Sequence, residues 1–426
     1  MPEYCQEIKK GMSQITAVKA HQKKLIALLI ISTAYIAVFI NIQGFKAMLP
    51  LVQDEFLISR AEVGLYSSFY FFSSVMIAIF SGKIADRLGT KNGLVIGVGL
   101  VGAMIALHSI SPTFSLILIL AFITGIAFSL ITPSVNKGVM EISEPAKRSL
   151  SMGIVHGGGG LGGVLGAVML PYLGEIYGWR TTLLMGSVFA IIVALFILKY
   201  FRQPSNPEER SEATFEREKS SLRKDLGLFL RNRYLMTVFA MGIVFGVSIS
   251  SVTGHFPLYM VRDLGTTTTF AGLGLAVFHL GGILGQPFWG FFNEKVFQGN
   301  RRIALSLLGF LICGLQLFFG LIISRQDFPP ELILLFSFFL GFCTLGIIAI
   351  YFTTVSELVA KQQVGTVTGL ALIFPRSSTV IMPPLFGLVA DITGTYTVSW
   401  IILGLLVAVL TSAFFYFSGK YSLSAD

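Results

Sequence analysis

An arginine lies in the middle of an apolar segment near the carboxyl end of this 426-residue chain. Arg376 is about ten residues into the segment 366–390, so it would lie about 15 Å from the end of a helix there. A guanidinium at the centre of a membrane core about 30 Å thick costs at least ~2.5 kcal/mol unless it faces a partner or water. Its planar fork suits a carboxylate or a phosphate. Arg376 is therefore predicted to bind an anionic ligand.

Other polar residues in apolar segments could share this chemistry. Ser377 follows Arg376 and could contact the ligand or, with helix carbonyl groups, satisfy the guanidinium internally. Lys46 follows Asn41 and Gln43 in the first apolar segment, and these residues predict a polar face. The Lys46 ammonium could face a cavity or extend to the membrane surface. Substrate binding is predicted for all five residues.

The positions of the acidic residues also constrain the ligand. None of the 22 Asp and Glu lies deep in an apolar segment. Glu62, Glu141, Glu357 and Asp391 come closest, and they lie at or near segment ends. A carrier of organic cations would be expected to have a carboxylate at mid-membrane depth. The charge pattern therefore favours an anionic small-molecule substrate.

Histidines are candidates for moving a co-transported proton, because their ordinary pKa lies nearest the physiological range. His279 lies near the middle of its apolar segment, and His156 and His255 lie closer to the ends of theirs. Each could instead be a hydrogen-bonding contact between helices. No His, Cys, Asp and Glu pattern has metal-ligand spacing, and no Ser-His-Asp set is indicated. Neither a metal, a cofactor nor an enzymatic activity is expected.

The elements that must position these residues are transmembrane helices. Hydrophobic residues make up 54% of the chain and charged residues only 12%, against about 25% charged residues in soluble domains. The chain is therefore predicted to be an all-α integral membrane protein embedded in the lipid bilayer, with no nucleic-acid partner. Apolar runs broken by charged and turn residues predict twelve spans: 25–50, 62–82, 92–110, 114–138, 150–172, 181–201, 234–258, 268–292, 303–323, 332–354, 366–390 and 397–418.

A polar stretch divides these spans into two sets of six. The predicted units are a tail 1–24, a six-helix half 25–201, a linker 202–233, a second half 234–418 and a tail 419–426. Most of the 31 Lys and Arg lie in the tails, the linker and the even-numbered loops. Basic residues collect in cytosolic loops, which predicts a multi-pass protein of the bacterial inner membrane with both termini in the cytosol.

The two halves resemble each other in sequence. Leu173-Gly174-Glu175 matches Val389-Ala390-Asp391 in position, and Gly153 opens span five much as Gly369 opens span eleven. Six crossings return the chain to its starting side, so the halves are predicted to have the same orientation. Parallel repeated halves are the architecture of many secondary transporters.

A short motif connects this pattern to a family. The segment Gly82-Lys-Ile-Ala-Asp86-Arg87-Leu-Gly89-Thr-Lys91 resembles the signature loop between the second and third helices of the major facilitator superfamily. The resemblance covers about 25–418 and implies two six-helix bundles around a cavity that opens alternately to each side. The motif residues are predicted to form a cytosolic gate, and the alternative is a short basic loop that only sets the topology. These residues are Gly82, Asp86, Arg87, Gly89 and Lys91. Asp86 would accept hydrogen bonds from a helix amino end while the protein is open outward.

Together with Arg376 and the absence of deep acidic residues, the resemblance predicts an alternating-access transporter of a small organic anion, above all a carboxylate, by proton symport or anion exchange. With its cation in the eleventh helix, the sequence resembles carboxylate carriers of the oxalate–formate or monocarboxylate type. One alternative is an exporter of an amphiphilic metabolite, a siderophore or a drug. Another class of alternative is a transporter-like membrane sensor or an embedded enzyme. A monomer is expected, and the glycine-rich spans five and eight are expected to pack face to face.

Overall fold

The computed structural model describes residues 2–144, 148–201, 232–324, 328–359 and 364–422. Within these ranges the chain is almost entirely helical and contains no strand. The helices are α1 Pro2–Ala47, α2 Leu49–Phe56, α3 Arg60–Ser109, α4 Phe114–Ile142, α5 Arg148–Tyr177, α6 Trp179–Tyr200, α7 Arg233–Arg262, α8 Thr268–Lys295, α9 Arg301–Phe318 with a π-helical turn Phe319–Ile323, α10 Pro330–Thr344, α11 Ile347–Glu357, α12 Val364–Ala371, α13 Ile373–Thr393 and α14 Tyr396–Ser422.

Eleven helical stretches of the described residues are long and apolar enough to cross a membrane. The remaining predicted span, 62–82, is the first part of α3, which has 50 residues and at about 75 Å is too long for one crossing. Its two crossings meet at Gly89, where φ is 75° and ψ is 166°, a conformation that only glycine adopts readily. The all-α membrane fold with twelve spans is confirmed. The sequence predicts a loop between spans two and three. That prediction is wrong in extent, because the structure has only this kink there.

Span eleven, which carries Arg376, is divided into α12 and α13 at Leu372. The break lies three residues before Pro375, whose nitrogen has no hydrogen to donate to the carbonyl of Ala371. The hydroxyl of Tyr351 donates to that carbonyl instead, at 2.8 Å. The proline therefore bends the helix just before Arg376 without leaving the freed carbonyl unsatisfied.

Helices α1–α6 form the first half and α7–α14 the second. The halves meet mainly along two helix pairs, α3 with α13 and α5 with α8. Glycines bring the backbones of these pairs into contact. A Cβ at Gly64 of α3 would lie 2.5 Å from the carbonyl carbon and oxygen of Pro383, and one at Gly272 of α8 would lie 2.3 Å from the Ala167 oxygen. Close approach of helix backbones at glycine is typical of membrane proteins.

These interfaces lie toward the far side, defined as the side opposite the chain termini. On the termini side, the ion pairs that join two described residues stay within one half. Lys24 pairs with Glu144 in the first half, and Arg301 pairs with Glu294 and Glu357 in the second. Several glycines of this side have no atom within 4 Å of a Cβ position: Gly82, Gly153, Gly157, Gly290 and Gly369. The closest backbone contacts and the ion pairs between the halves thus lie on the far side, whereas the ion pairs of the termini side stay within one half.

Spans five and eight pack against each other, as expected, but only part of their glycine lies at that contact. The glycines of α5 that pack against α1 are Gly158, Gly159, Gly162 and Gly166. The glycines of α8 that pack against the α10 region are Gly281, Gly282 and Gly285. Only Gly160, Gly163 and Gly272 lie at the contact between the two helices. Most of the glycines of α5 and α8 therefore allow close packing between helices of the same half.

The orientation in the membrane can be tested at the connection between α2 and α3. Leu57 lies there on the far side and is 90% exposed. If the termini are cytosolic, a cysteine at Leu57 should react with a membrane-impermeant maleimide added to intact cells. A cysteine in 202–233 should react only after the cells are permeabilised. Labelling of the 202–233 cysteine in intact cells would reverse the proposed orientation.

Candidate functional site

Lys46 lies at the end of α1 and is only 2% exposed. Its Nζ is 3.4 Å from the Thr253 hydroxyl of α7, and it faces the rings of Phe71 and Tyr70 on α3, 5.1 and 6.0 Å from their centroids. It forms no ion pair with any residue in the described ranges. The side chain is therefore buried between the halves and does not extend to the membrane surface. Ring faces and one long hydrogen bond are weak substitutes for water around an ammonium.

Arg376 lies in the second half, on the first turns of α13, and is partly buried. Its guanidinium has no hydrogen bond or ion pair to a described residue, and the hydroxyl of Ser378 donates to the Pro375 carbonyl instead. Ser377 is exposed beside it. The guanidinium lies within electrostatic range of the hydroxyls of Tyr35 and Tyr70. In the structure, the neighbouring serines thus form no hydrogen bond with the Arg376 guanidinium.

The two cations come from opposite halves and share Tyr70 as a neighbour. Lys46 faces the ring of Tyr70, and the Arg376 guanidinium lies near its hydroxyl. Aromatic rings of the first half continue from Tyr70 through Phe128 and Phe39 to Tyr35, with centroids 5.7, 5.7 and 5.0 Å apart. The site thus combines a wall of aromatic rings carrying two hydroxyls with two cations that have no acidic partner in the part of the chain that the structure describes.

The polar face predicted on α1 is divided in the structure. Gln43 is one helical turn from Lys46, and its Oε1 is buried without a hydrogen-bond partner among the described residues. Asn41 instead donates from Nδ2 to the carbonyls of Ala37 and Gly186, at 2.9 and 3.0 Å. It joins α1 to α6 inside the first half, so the geometry gives no support to a substrate contact there.

Two of the three candidate histidines lie near the cations. His279 of α8 is 8% exposed, lies within electrostatic range of Lys46, and has no partner for Nε2 among the described residues. His156 of α5 is exposed. Its Nε2 is 2.9 Å from the Asn136 oxygen, and its ring meets that of Tyr35 edge to face at 5.4 Å.

His255 occupies a different place. Its Nδ1 is 3.1 Å from the Tyr396 hydroxyl, and its Nε2 is 2.7 Å from the Pro383 carbonyl oxygen. Both ring nitrogens are therefore engaged inside the second half, where they hold α7 to α13 and α14. This arrangement supports a structural role and gives no support to the proton-coupling role predicted for His255.

The sequence of this helical membrane protein is similar to those of known transporters. The sequence profile described as Major Facilitator Superfamily matches residues 31–374 and 244–425. The chain belongs to this superfamily. A hexuronate transporter of Bacillus subtilis is 21% identical over 391 residues, which cover 89% of this chain and 91% of the relative. A probable sulfoacetate transporter of Cupriavidus necator is 21% identical over 391 residues, with 88% and 89% covered.

Solved structures of other transporters share the fold. A bacterial homologue of the human lysosomal transporter Spinster, in an inward-facing and unoccupied conformation, superposes with a TM-score of 0.76. It is 14% identical, and the alignment covers 94% of this chain and 98% of the other. This superfamily member is therefore a multi-pass membrane transporter and not an enzyme.

The gate motif of the superfamily lies on the termini side, away from the two cations. Gly89 provides the kink in α3, Arg87 is exposed and Lys91 is partly buried. Gly82 has no atom within 4 Å of a Cβ position, so no close helix approach occurs there in this conformation. Asp86 is not among the residues whose side chains the structure describes, and its gating role stays a prediction.

Some site residues of this superfamily member were not identified from the sequence. Tyr35, Tyr70 and Thr253 are common residue types in membrane helices, and their type alone gives no signal. Tyr35, Phe39 and Lys46 do follow one another at roughly helical spacing on α1, which could have indicated a shared face. Within the described ranges, no group of three or more His, Cys, Asp or Glu could hold a metal ion.

Proposed function

We propose that the protein transports a small organic anion, most simply a carboxylate, by alternating access. The observation that supports this best is the pair Lys46 and Arg376, two cations from opposite halves with no acidic partner in the described ranges. An anion between them would supply the missing negative charge in a region of low dielectric, and Arg376 could bind it with two parallel hydrogen bonds. The hexuronate and sulfoacetate named for two relatives are both organic anions.

The same pair suggests how binding is coupled to the conformational change. The close contacts between the halves lie on the far side, so the anion would enter or leave on the termini side. Without it, Lys46 and Arg376 have no counter-ion in the described ranges to join the halves. A shared anion would attract both cations and favour closure of the termini side, because a ligand shifts a population only by differential interaction with the two states.

Unpartnered polar atoms near the cations bear on the rest of the substrate. Gln43 Oε1 and His279 Nε2 are both buried without a hydrogen-bond partner among the described residues. Such atoms cost free energy until a donor or acceptor reaches them. Substrate hydroxyl groups could do so, while the aromatic wall would contact the carbon skeleton. A hydroxylated carboxylate such as a hexuronate fits these features better than a purely aliphatic acid does.

The coupling mode follows from whether a proton accompanies the anion. Proton symport would use a histidine near the cations, and His279 and His156 both lie there. Anion exchange would need only the two cations. In proteoliposomes, uptake driven by a pH gradient and lost in His279→Gln or His156→Gln would indicate symport. Uptake that instead requires an internal anion would indicate exchange.

Ligand-induced thermal stabilisation of the purified transporter tests the proposed substrate class. A ligand that binds the folded state stabilises it by about 2.7 kcal/mol at 100 times its Kd. Galacturonate, sulfoacetate and a simple monocarboxylate should be compared with galactose, a neutral control of the same shape, and with an organic cation. We expect stabilisation by one or more anions and none by galactose. Stabilisation by the cation, or equal stabilisation by galactose, would contradict the proposal.

A further inference from the structure

We propose that Asp391 and Glu175 hold the far side of the transporter closed, each by capping the amino end of a helix in the other half. This inference concerns the conformational cycle and does not depend on which substrate is carried. It is supported by hydrogen bonds that cross between the halves, by the repeat in the sequence and by the geometry of helix termini.

Asp391 of α13 caps α3. Its Oδ1 accepts a hydrogen bond from the backbone N–H of Arg60 at 2.9 Å, and its Oδ2 accepts one from that of Ala61 at 2.9 Å. The next free N–H of this first turn, that of Glu62, donates to the Ser59 hydroxyl at 3.1 Å. A carboxylate of the second half thus accepts hydrogen bonds from backbone N–H groups at the start of a first-half helix.

Glu175 of α5 caps α8 in the reverse direction. Its Oε1 accepts from the backbone N–H of Thr269 at 2.9 Å, and its Oε2 accepts from the Thr269 hydroxyl at 2.6 Å. The Thr267 hydroxyl accepts from the N–H of Phe270 at 3.1 Å within α8 itself. Here a first-half carboxylate accepts hydrogen bonds at the start of a second-half helix.

The two caps are equivalent positions of the repeated halves. Asp391 follows Pro383 by eight residues, and Glu175 follows Ala167 by eight. Pro383 and Ala167 are the residues whose carbonyl groups touch the interface glycines of α3 and α8. Each of those glycines is the fifth residue after the N-cap of its helix. Because both elements of the contact repeat at the same spacing, the caps belong to the gate and are not isolated surface contacts.

Helix amino ends give these contacts their physical basis. The first N–H groups of a helix have no partner inside it and carry a partial positive charge, so a carboxylate stabilises them. Opening the far side would separate each carboxylate from its helix and leave both to water. The ion pair between Arg60 and Asp263, with nitrogen and oxygen 3.6 Å apart, reinforces the first cap. Burial raises the pKa of the Asp263 carboxyl, while hydrogen bonding from the Tyr396 N–H and the charge of Arg60 oppose that rise.

Glu55 is a matched control on the same side. Its carboxylate binds the Trp179 indole N–H at 2.6 Å and the Arg180 guanidinium at 2.7 Å, all within the first half. The hydrogen bond from Arg180 lowers the pKa of Glu55. Opening the far side does not separate these groups, so Glu55→Gln removes a far-side carboxylate without changing the balance between the two conformations.

The test measures far-side opening directly. Ser67 is buried beside Gly254 of the other half, and Ser67→Cys, in a variant with Cys5, Cys313 and Cys343 replaced by serine, serves as a maleimide reporter in detergent. We expect Asp391→Asn and Glu175→Gln each to speed labelling about 3- to 10-fold, as exposed charge-to-helix contacts allow. The double variant should approach the product of the single effects, about 10- to 100-fold, because the sites are separate. Asp391→Glu and Glu175→Asp should restore slow labelling in part.

Labelling that is no faster in the double variant than in Glu55→Gln would overturn the proposal. So would equal acceleration by the charge-conserving variants. If Asp391→Asn fails to fold, Glu175→Gln and the two charge-conserving variants still decide the question. The labelling needs no substrate, so failure of this inference and failure of the anion assignment would be seen in different experiments.

Discussion

Lys46→Met is expected to make the substrate-free transporter more stable to heat and at the same time to remove most of its affinity for the anion. Lys46 is 2% exposed and has no acidic partner among the described residues. A buried charge without a counter-ion costs several kcal/mol, and methionine keeps an unbranched apolar chain without the charge. Deleting the charge thus relieves a cost in the empty protein and removes an attraction in the bound one.

The size of the binding loss follows from charged hydrogen bonds, which are worth roughly 1.5–3 kcal/mol, or about 10- to 150-fold in affinity. Arg376→Ala should show a loss of this order. Arg376→Lys should lose less, because it keeps the charge but not the two-pronged geometry. Thermal unfolding with and without the best ligand of the anion panel measures both quantities for each variant.

Lys24→Met is the control for removing a lysine. Lys24 is exposed and pairs with Glu144 at 3.4 Å, so its removal should change neither stability nor binding by a measurable amount. Unchanged anion affinity in both Lys46→Met and Arg376→Ala would remove the main support for anion transport. A lower stability of empty Lys46→Met would show that the buried ammonium is satisfied by partners that the geometry does not reveal.

Gly64→Ala is expected to force the far side open. The added Cβ would lie 2.5 Å from the Pro383 carbonyl carbon and oxygen and 2.6 Å from the Pro384 nitrogen. These are backbone atoms, so no side-chain rotation relieves the collision, and α3 must move away from α13. Overpacking costs about 1–3 kcal/mol, which corresponds to a shift of about 5- to 150-fold in the conformational equilibrium. The Ser67→Cys reporter should label faster by that factor.

Gly99→Ala on the same helix is the matched control, because its Cβ would lie 3.7 Å from the Cβ of Ala194 in the same half, an ordinary van der Waals contact. It should leave far-side labelling unchanged. Gly272→Ala, at the equivalent contact with Ala167, should act in the same direction as Gly64→Ala. If Gly64→Ala labels as slowly as Gly99→Ala, the contact between α3 and α13 is not a tight one in the membrane protein.

Much of the fold was predictable because a bilayer restricts what a chain can do. Each span must be apolar and must satisfy its own backbone, so hydropathy finds the helices. Arg376 was conspicuous for the same reason, as a charge in the centre of an apolar segment. The depth of Lys46 was not, since it depends on α1 ending at Ala47 and on the cover that Thr253 and the α3 rings provide. Asn41 shows the same limit, because its partner lies on α6.

The contacts between the halves were the least predictable part. The repeat in the sequence marked Glu175 and Asp391 as equivalent positions, but it could not show that each reaches a helix in the other half. Their partners are backbone N–H groups, which every residue except proline carries. The sequence therefore contains no mark of the partner. Only the packing of one half on the other brings the acid and the helix end together.

The unoccupied space beside Gly153, Gly157, Gly290 and Gly369 has a consequence for how mutations in this protein are interpreted. In this conformation nothing meets a side chain at these positions, so alanine there should be tolerated in any assay that counts folded protein in the membrane. Alternating access requires the termini side to close in its turn, and helices approach closely where residues are small. Substitutions at these glycines would then pass a screen for abundance and fail one for turnover. Mutational tolerance in such a carrier is a property of the whole cycle and cannot be assigned from a single state.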